Sequence, residues 1–122
     1  MIKLLIVDDE KDNIELLTRR LTRRGFGILS ATNAKDGLAL AIAEQPQLIL
    51  MDIKMPEVDG LEATKMLKSE DRTRHIPVIA LTAHAMQEDR DRAVTAGAAD
   101  YETKPVDLER LIDKISLLAN PG

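Results

Sequence analysis

Three aspartates, one threonine and one lysine occupy positions from which they could act together. Asp8, Asp9 and Asp52, with Thr82 and Lys104, each sit where a short apolar run stops. If those runs are neighbouring parallel strands, the residues that follow them gather along one edge of a sheet. Carboxylates collected there form an acidic pocket ready for a cation that prefers oxygen ligands. The chain has no cysteine, which excludes disulfides and thiolate metal sites.

The runs that must position these residues differ in quality. Leu4 to Val7, Leu48 to Met51 and Val78 to Leu81 are almost unbroken apolar stretches and read as strands buried on both faces. Gly27 to Ala31 and Ala98 to Glu102 are more polar or smaller and read as edge strands. Helical patterns alternate with them. The first runs from Asp12 to Arg24, with Ile14, Leu17 and Leu21 on one face, basic residues in its last turn and Gly25 as terminator. A second spans Lys35 to Glu44, introduced by Asn33 and ended before Pro46. A third spans Leu61 to Lys68 after Asp59-Gly60, and the last opens at Asp107 with Leu108, Leu111, Ile112, Ile115 and Leu118 at helical spacing. Between them, Ala85 to Ala96 offers only Met86, Ala93 and Val94 as an inner face, so this helix is weakly anchored and can shift.

Alternating strands and helices predict an α/β fold with helices on both faces of a parallel sheet. Placing the two weaker strands outside gives the order 2-1-3-4-5, a single doubly wound five-stranded sheet that binds ligands at the carboxyl ends of its strands. At 122 residues and 44% hydrophobic content, one domain over residues 1–122 is expected. No apolar stretch approaches the roughly 20 residues that span a bilayer. Met1-Ile2-Lys3-Leu4 leads into a strand and not a signal peptide, so a soluble, cytoplasmic protein is expected. A net charge of -4 argues against direct nucleic-acid binding, and Arg19, Arg20, Arg23 and Arg24 read as a solvated helix face. The partner class that remains is protein.

The stretches Leu5-Ile6-Val7-Asp8-Asp9-Glu10, Met51-Asp52-Ile53-Lys54-Met55-Pro56 leading to Asp59-Gly60, Leu81-Thr82-Ala83 and Tyr101-Glu102-Thr103-Lys104-Pro105 follow one another in order over nearly the whole chain. Together they resemble the receiver domain of two-component response regulators, a flavodoxin-like fold. The resemblance implies a phosphoacceptor switch and not a turnover enzyme. Asp52 would accept a phosphoryl group from a phosphohistidine of a sensor histidine kinase or histidine phosphotransfer protein. Magnesium, with manganese as a substitute, would be held by Asp9, Asp52 and the backbone carbonyl of Lys54, with Asp8 acting mainly through water. Hard oxygen ligands of this kind disfavour zinc. Lys104 and the Thr82 hydroxyl would contact phosphoryl oxygens. Pro105 resembles a proline that follows the lysine through a cis bond. Thr82 and Tyr101 would form a switch that changes the surface of the fourth helix, fifth strand and fifth helix. That surface would face a downstream protein target, or a second copy in a phosphorylation-dependent dimer. Lys54 and His84 stand two residues beyond Asp52 and Thr82, where receivers tune the lifetime of the phosphoryl group.

Each residue also has a plainer reading. Asp8 and Asp9 could cap the first helix, and Thr82 could cap the next one. Lys104 could be solvated, Tyr101 could be an ordinary strand tyrosine, and His75 and His84 could be idle surface histidines. Other functions compete as well. A haloacid-dehalogenase-like phosphatase expects a second acid where this chain has Lys54, and a flavin carrier needs a hydroxyl- and amide-rich phosphate loop where it has Asp8-Asp9-Glu10. A receiver-like scaffold that works without phosphorylation is a further alternative. No effector domain follows Gly122, so output is expected through surface contact unless the chain is part of a longer regulator or hybrid kinase.

Overall fold

The computed structural model describes residues 1–55, 57–83 and 87–119. Its strands are β1 (Lys3–Val7), β2 (Gly27–Ala31), β3 (Leu48–Asp52), β4 (Val78–Thr82) and β5 (Asp100–Thr103). Helices α1 (Lys11–Arg23), α2 (Ala34–Glu44), α3 (Gly60–Ser69), α4 (Gln87–Ala96) and α5 (Leu108–Ala119) alternate with them. All pairings are parallel and the order is β2-β1-β3-β4-β5, as expected. Among the described residues, no helix is long and apolar enough to cross a membrane.

The apolar runs form the centre because a strand flanked on both sides and both faces cannot meet water. β3 and β4 are buried throughout, whereas β2 and β5 are largely half-exposed edges. Side-chain alternation then separates two layers. Leu4, Ile6, Leu48, Leu50, Ile79 and Leu81 face Leu17 and Leu21 of α1 and Leu111 and Ile115 of α5. Leu5, Val7, Ile49, Met51 and Val78 face Ala34 and Ala41 of α2 and Ala63 and Leu67 of α3. Under α4 the packing is thinner, with Ala80, Ala93 and Ala98 joined by Ile53, Leu61 and Tyr101.

Local signals set the helix ends. Asn33 and Asp59 cap α2 and α3 by accepting from the amides of Asp36 and Glu62 at 2.8 and 2.9 Å. Asp107 accepts from the Arg110 amide in the same way at the start of α5. Gly25 ends α1 at φ +92°, with the Phe26 amide bonded back to the Leu21 carbonyl and both side chains in the core.

Two expectations are corrected on the β5 side. The fifth strand begins at Asp100 and not at Ala98. Ala98 is used instead to close α4: its amide bonds to the Ala93 carbonyl, while Gly97 at φ +107° bonds to Val94. On α4 the inward residues are Ala93 and Ala96, and Val94 is 62% exposed. The turn spacing places 93 and 96 on one face and rotates 94 outward. Met86 and the expected helix start at Ala85 lie outside the described residues.

The turn from β3 into α3 brings Gly60 against the end of β3. Its amide bonds to the Ile53 carbonyl at 2.8 Å, and a Cβ there would lie 2.1 Å from the Asp52 carbonyl oxygen and 2.6 Å from the Ile53 Cα. Backbone atoms cannot yield as a flexible side chain can. Gly60→Ala is therefore expected to lower stability by at least about 3 kcal/mol, the upper end of overpacking costs, in urea unfolding. Gly27→Ala, which meets the exposed end of the Met1 side chain at 2.9 Å, is the control and should cost well under half as much. Equal losses would contradict this account of the turn.

Candidate functional site

Every polar group of the site stands at the carboxyl end of a strand because the sheet is parallel. β1 pairs with β3 in the register Val7↔Met51, so Asp8 and Asp52 emerge side by side. β4 pairs with β5 through Thr82↔Thr103, which brings Lys104 level with the end of β4. The Lys104 amide completes this link by donating to the Thr82 carbonyl at 2.8 Å.

Asp8 is fully buried, Asp52 is nearly so, and Asp9 is half-buried. Carboxylate oxygens of all three lie within 4.8 Å of one another. Lys104 Nζ stands between two of them, 3.2 Å from Asp52 Oδ1 and 3.5 Å from Asp8 Oδ2. The Lys104–Pro105 peptide is cis. Two backbone amides also point at the acids: Glu10 donates to Asp8 Oδ1 at 2.9 Å, and Lys54 donates to Asp52 Oδ1 at 3.3 Å. The Lys54 side chain itself is exposed. Thr82 is buried beside the cluster and lines a hollow of about 510 Å³ with Lys54, Met55, Asp59, Leu61 and Arg92. A smaller hollow of about 190 Å³ opens on the other side, between Leu16 and Arg20 of α1 and Pro105.

Charge and burial work against each other here. Burial, then repulsion from Asp8, pushes the Asp52 carboxyl up from 3.8 to about 6, against the opposing pull of Lys104. Burial pulls Lys104 down, but the charges of Asp52 and Asp8 together outweigh it and hold its pKa above the ordinary value. One ammonium thus faces three carboxyl groups. The residues fit a hard divalent cation. Asp8 Oδ2 is buried and, beyond its 3.5 Å ion pair with Lys104, has no hydrogen-bond partner among the described residues, and the donor set is all oxygen.

The structure brings together Asp8, Asp9, Asp52 and Lys104, with Thr82 and the Lys54 backbone at the rim. Tyr101 lies away from them on β5, half-buried against the alanines under α4. Its ring centroid is 4.8 Å from Arg90 Cζ and 5.0 Å from Lys114 Nζ. His75 is exposed and His84 lies outside the described residues. Sequence reasoning missed Glu102. It is a buried carboxylate on β5 paired with Arg110 at 3.0 Å and Lys114 at 3.1 Å of α5. The only cue was the spacing of Arg110 and Lys114, which places both cations on one helix face.

The raised Asp52 pKa has a stability consequence. A folded acid titrating near 6 binds its proton more tightly than the unfolded chain, so its contribution is fully present below about 3.8 and is lost as pH rises through about 6. Metal-free melting should show it. Asp52→Asn should be the more stable form at pH 7.5, by on the order of 2–3 kcal/mol, with the advantage disappearing as pH falls toward 4. Asp9→Asn should likewise raise the metal-free melting temperature and abolish the rise that magnesium produces. An Asp9→Asn form that melts lower and still responds to magnesium would refute the pocket.

Comparison with known proteins agrees with this geometry. The profile of the response regulator receiver domain matches residues 4–116. The polar-differentiation response regulator DivK of Brucella anthropi is 43% identical over 111 residues, covering 91% of this chain and 90% of its own. The receiver domain of the sensor histidine kinase PA1611 from Pseudomonas aeruginosa PAO1, solved with a magnesium ion coordinated in its active site cleft, superposes with a TM-score of 0.88. It is 29% identical, covering 97% of each chain. A chain in the co-crystal structure of the Saccharomyces cerevisiae histidine phosphotransfer protein Ypd1 and the receiver domain of its downstream response regulator Ssk1 gives a TM-score of 0.89. It is 29% identical, over 97% of this chain and 88% of its own. The strand order, the acidic edge and these matches lead to one conclusion: the chain belongs to the response regulator receiver domains, the regulatory domains of two-component systems.

Proposed function

We propose that the chain is a phosphoacceptor switch in which Asp52 takes a phosphoryl group from a phosphohistidine of a sensor kinase or histidine phosphotransfer protein. The observation that carries this reading is Lys104 Nζ held 3.2 Å from the buried Asp52 carboxylate inside a cluster of three acids. A carboxylate is a weak nucleophile and the incoming group is also negative, so positive charge and alignment must come from the site. Asp9, Asp52 and the Lys54 carbonyl, with Asp8 acting mainly through water, would hold a divalent cation, magnesium or manganese, which would supply charge neutralisation at the phosphoryl oxygens.

An oxygen of Asp52 forms the new bond to phosphorus, and the phosphorus–nitrogen bond breaks. Its electron pair returns to the imidazole, which takes up a proton. Lys104 pairs with one phosphoryl oxygen and the Thr82 hydroxyl donates to another. The product is an acyl phosphate that stays on the protein until water hydrolyses it, so the domain acts once per phosphoryl group. Because Thr82 is joined to β5 through the Lys104 amide, its movement toward the phosphoryl group reaches Tyr101 and the surface of α4, β5 and α5. That surface then meets a downstream protein or a second copy. A cytoplasmic setting fits such partners.

Incubation with acetyl phosphate and magnesium should add one phosphoryl mass that maps to Asp52 and is absent from Asp52→Ala. No adduct, under conditions where magnesium demonstrably stabilises the protein, would favour a scaffold that works without phosphorylation. The decay of the same adduct tests the rim residues. Lys54 and His84 are expected to hinder the attacking water, so replacing both with Ala should shorten the adduct's half-life severalfold; an unchanged half-life removes them from lifetime control.

A further inference from the structure

Charged side chains from two helices converge on the chain's one tyrosine. β5 is the sheet's edge, and α4 and α5 cover its opposite faces: Ala93 packs over Ala80, whereas Leu111 and Ile115 pack with Ile79 and Leu81. Tyr101 lies on the α4 side, among the small side chains of Ala80, Ala93 and Ala98. Lys114 comes from α5 and reaches it around the edge. Its Nζ donates to the Tyr101 carbonyl at 2.5 Å, stands 3.6 Å from Asp100 and lies 5.0 Å from the Tyr101 ring centroid.

Glu102 explains part of this arrangement. A carboxylate only 1% exposed needs cationic partners, and it has Arg110 and Lys114. Arg110 already serves it from Nε, at 3.1 and 3.2 Å from its two oxygens. Anchoring α5 to Glu102 therefore does not require the further contacts of Lys114, all of which fall on Tyr101 and its neighbour Asp100. On the α4 side, Arg90 Cζ lies 4.8 Å from the ring centroid, while its Nε is buried without a hydrogen-bond partner among the described residues. A buried donor without a partner is costly, so the α4 side of the ring is held less favourably than the Lys114 side.

We propose that Lys114 is a positioning residue that holds the Tyr101 ring in its present place and thereby sets how readily the phosphorylated arrangement is reached. The proposal rests on the phosphoacceptor reading given above. Contacts made in one arrangement favour that arrangement alone, and coupling between two sites is reciprocal. Removing the Lys114 contacts should release the ring and, by the same linkage, tighten the site for a phosphoryl group.

The single tyrosine and the absence of tryptophan let intrinsic fluorescence report on this ring. Lys114→Met keeps the apolar stem and leaves Arg110 on Glu102. Acrylamide quenching is followed as beryllium fluoride, a phosphoryl mimic, is added with magnesium. In the wild type, saturation changes the quenching. In Lys114→Met part of that change should exist beforehand, and half-saturation should come at a concentration lower by about fivefold or more, even though the variant melts lower. Arg110→Met, which weakens Glu102 but leaves Arg90 and Lys114, the two cations over the ring, in place, should melt lower with an unchanged titration. If Lys114→Met behaves as Arg110→Met does, Lys114 is only an anchor and the proposal falls. If the wild type binds magnesium yet shows neither a beryllium fluoride response nor an Asp52 adduct, the phosphoacceptor reading falls and takes this one with it.

Discussion

Lys104 stands between two acids that would otherwise face each other across the ends of β1 and β3, and the behaviour of the site follows from how little that single ammonium can do. It lies 3.2 Å from Asp52 and 3.5 Å from Asp8, with Asp9 close by. Like charges about 4 Å apart repel by roughly 4 kcal/mol at an effective dielectric near 20, so one positive charge leaves the cluster under strain. The rise of Asp52 to about 6 comes first from its burial and then from this repulsion by Asp8. The same excess of negative charge suits the pocket to a divalent cation. A site that is unfavourable for the fold by itself is the usual mark of residues retained for function.

The rest of the architecture keeps those charges in place. Strands running in parallel deliver Asp8, Asp52, Thr82 and Lys104 to one edge from four different strands, and only register decides which residues meet. A slip of one residue at Val7↔Met51 would turn Asp52 to the other face and bury the wrong side chains. Unbroken apolar runs in β3 and β4, closed over by helices on both faces, make such a slip costly. Gly60 adds a second constraint by bringing the start of α3 against the Asp52 carbonyl, which fixes the turn that carries Lys54.

Much of this was legible in the sequence because buried parallel strands announce themselves. The three central runs were bounded to within one residue, β2 was bounded as observed, and the weakness of β2 and β5 gave the strand order. The gathering of the site residues followed from their positions at strand ends. Near α4 the reading failed for a physical reason. Alanines supply the apolar contacts there, and alanine carries little periodic signal, so beside Ala93 the pattern points to Val94 where the fold buries Ala96, and it extends the strand to Ala98, which closes the helix instead. Glu102 was hidden differently. A glutamate in an edge strand reads as solvated, and its partners Arg110 and Lys114 lie on the next helix, where only the packed fold brings them to it. The ion pair between Asp52 and Lys104 is likewise a property of the sheet and not of any local pattern.

The two helices flanking β5 are held by different means, and this difference makes α4 the less firmly anchored of the two. α5 presents Leu111 and Ile115 to the core, and its Glu109 pairs at 2.5 Å with Arg24, just past the end of α1, while Arg110 and Lys114 grip Glu102. α4 presents two alanines. Burying a leucine or isoleucine side chain is worth about 1.5–3 kcal/mol, and an alanine far less, so displacing α4 costs a fraction of what displacing α5 would. Of the two helices, α4 is therefore the one held by less apolar burial. The exposed pairs Arg24–Glu109 and Arg19–Glu15 add little to this contrast, because solvent screens them. It is apolar area on one side of the edge strand, and its scarcity on the other, that decides where the fold yields.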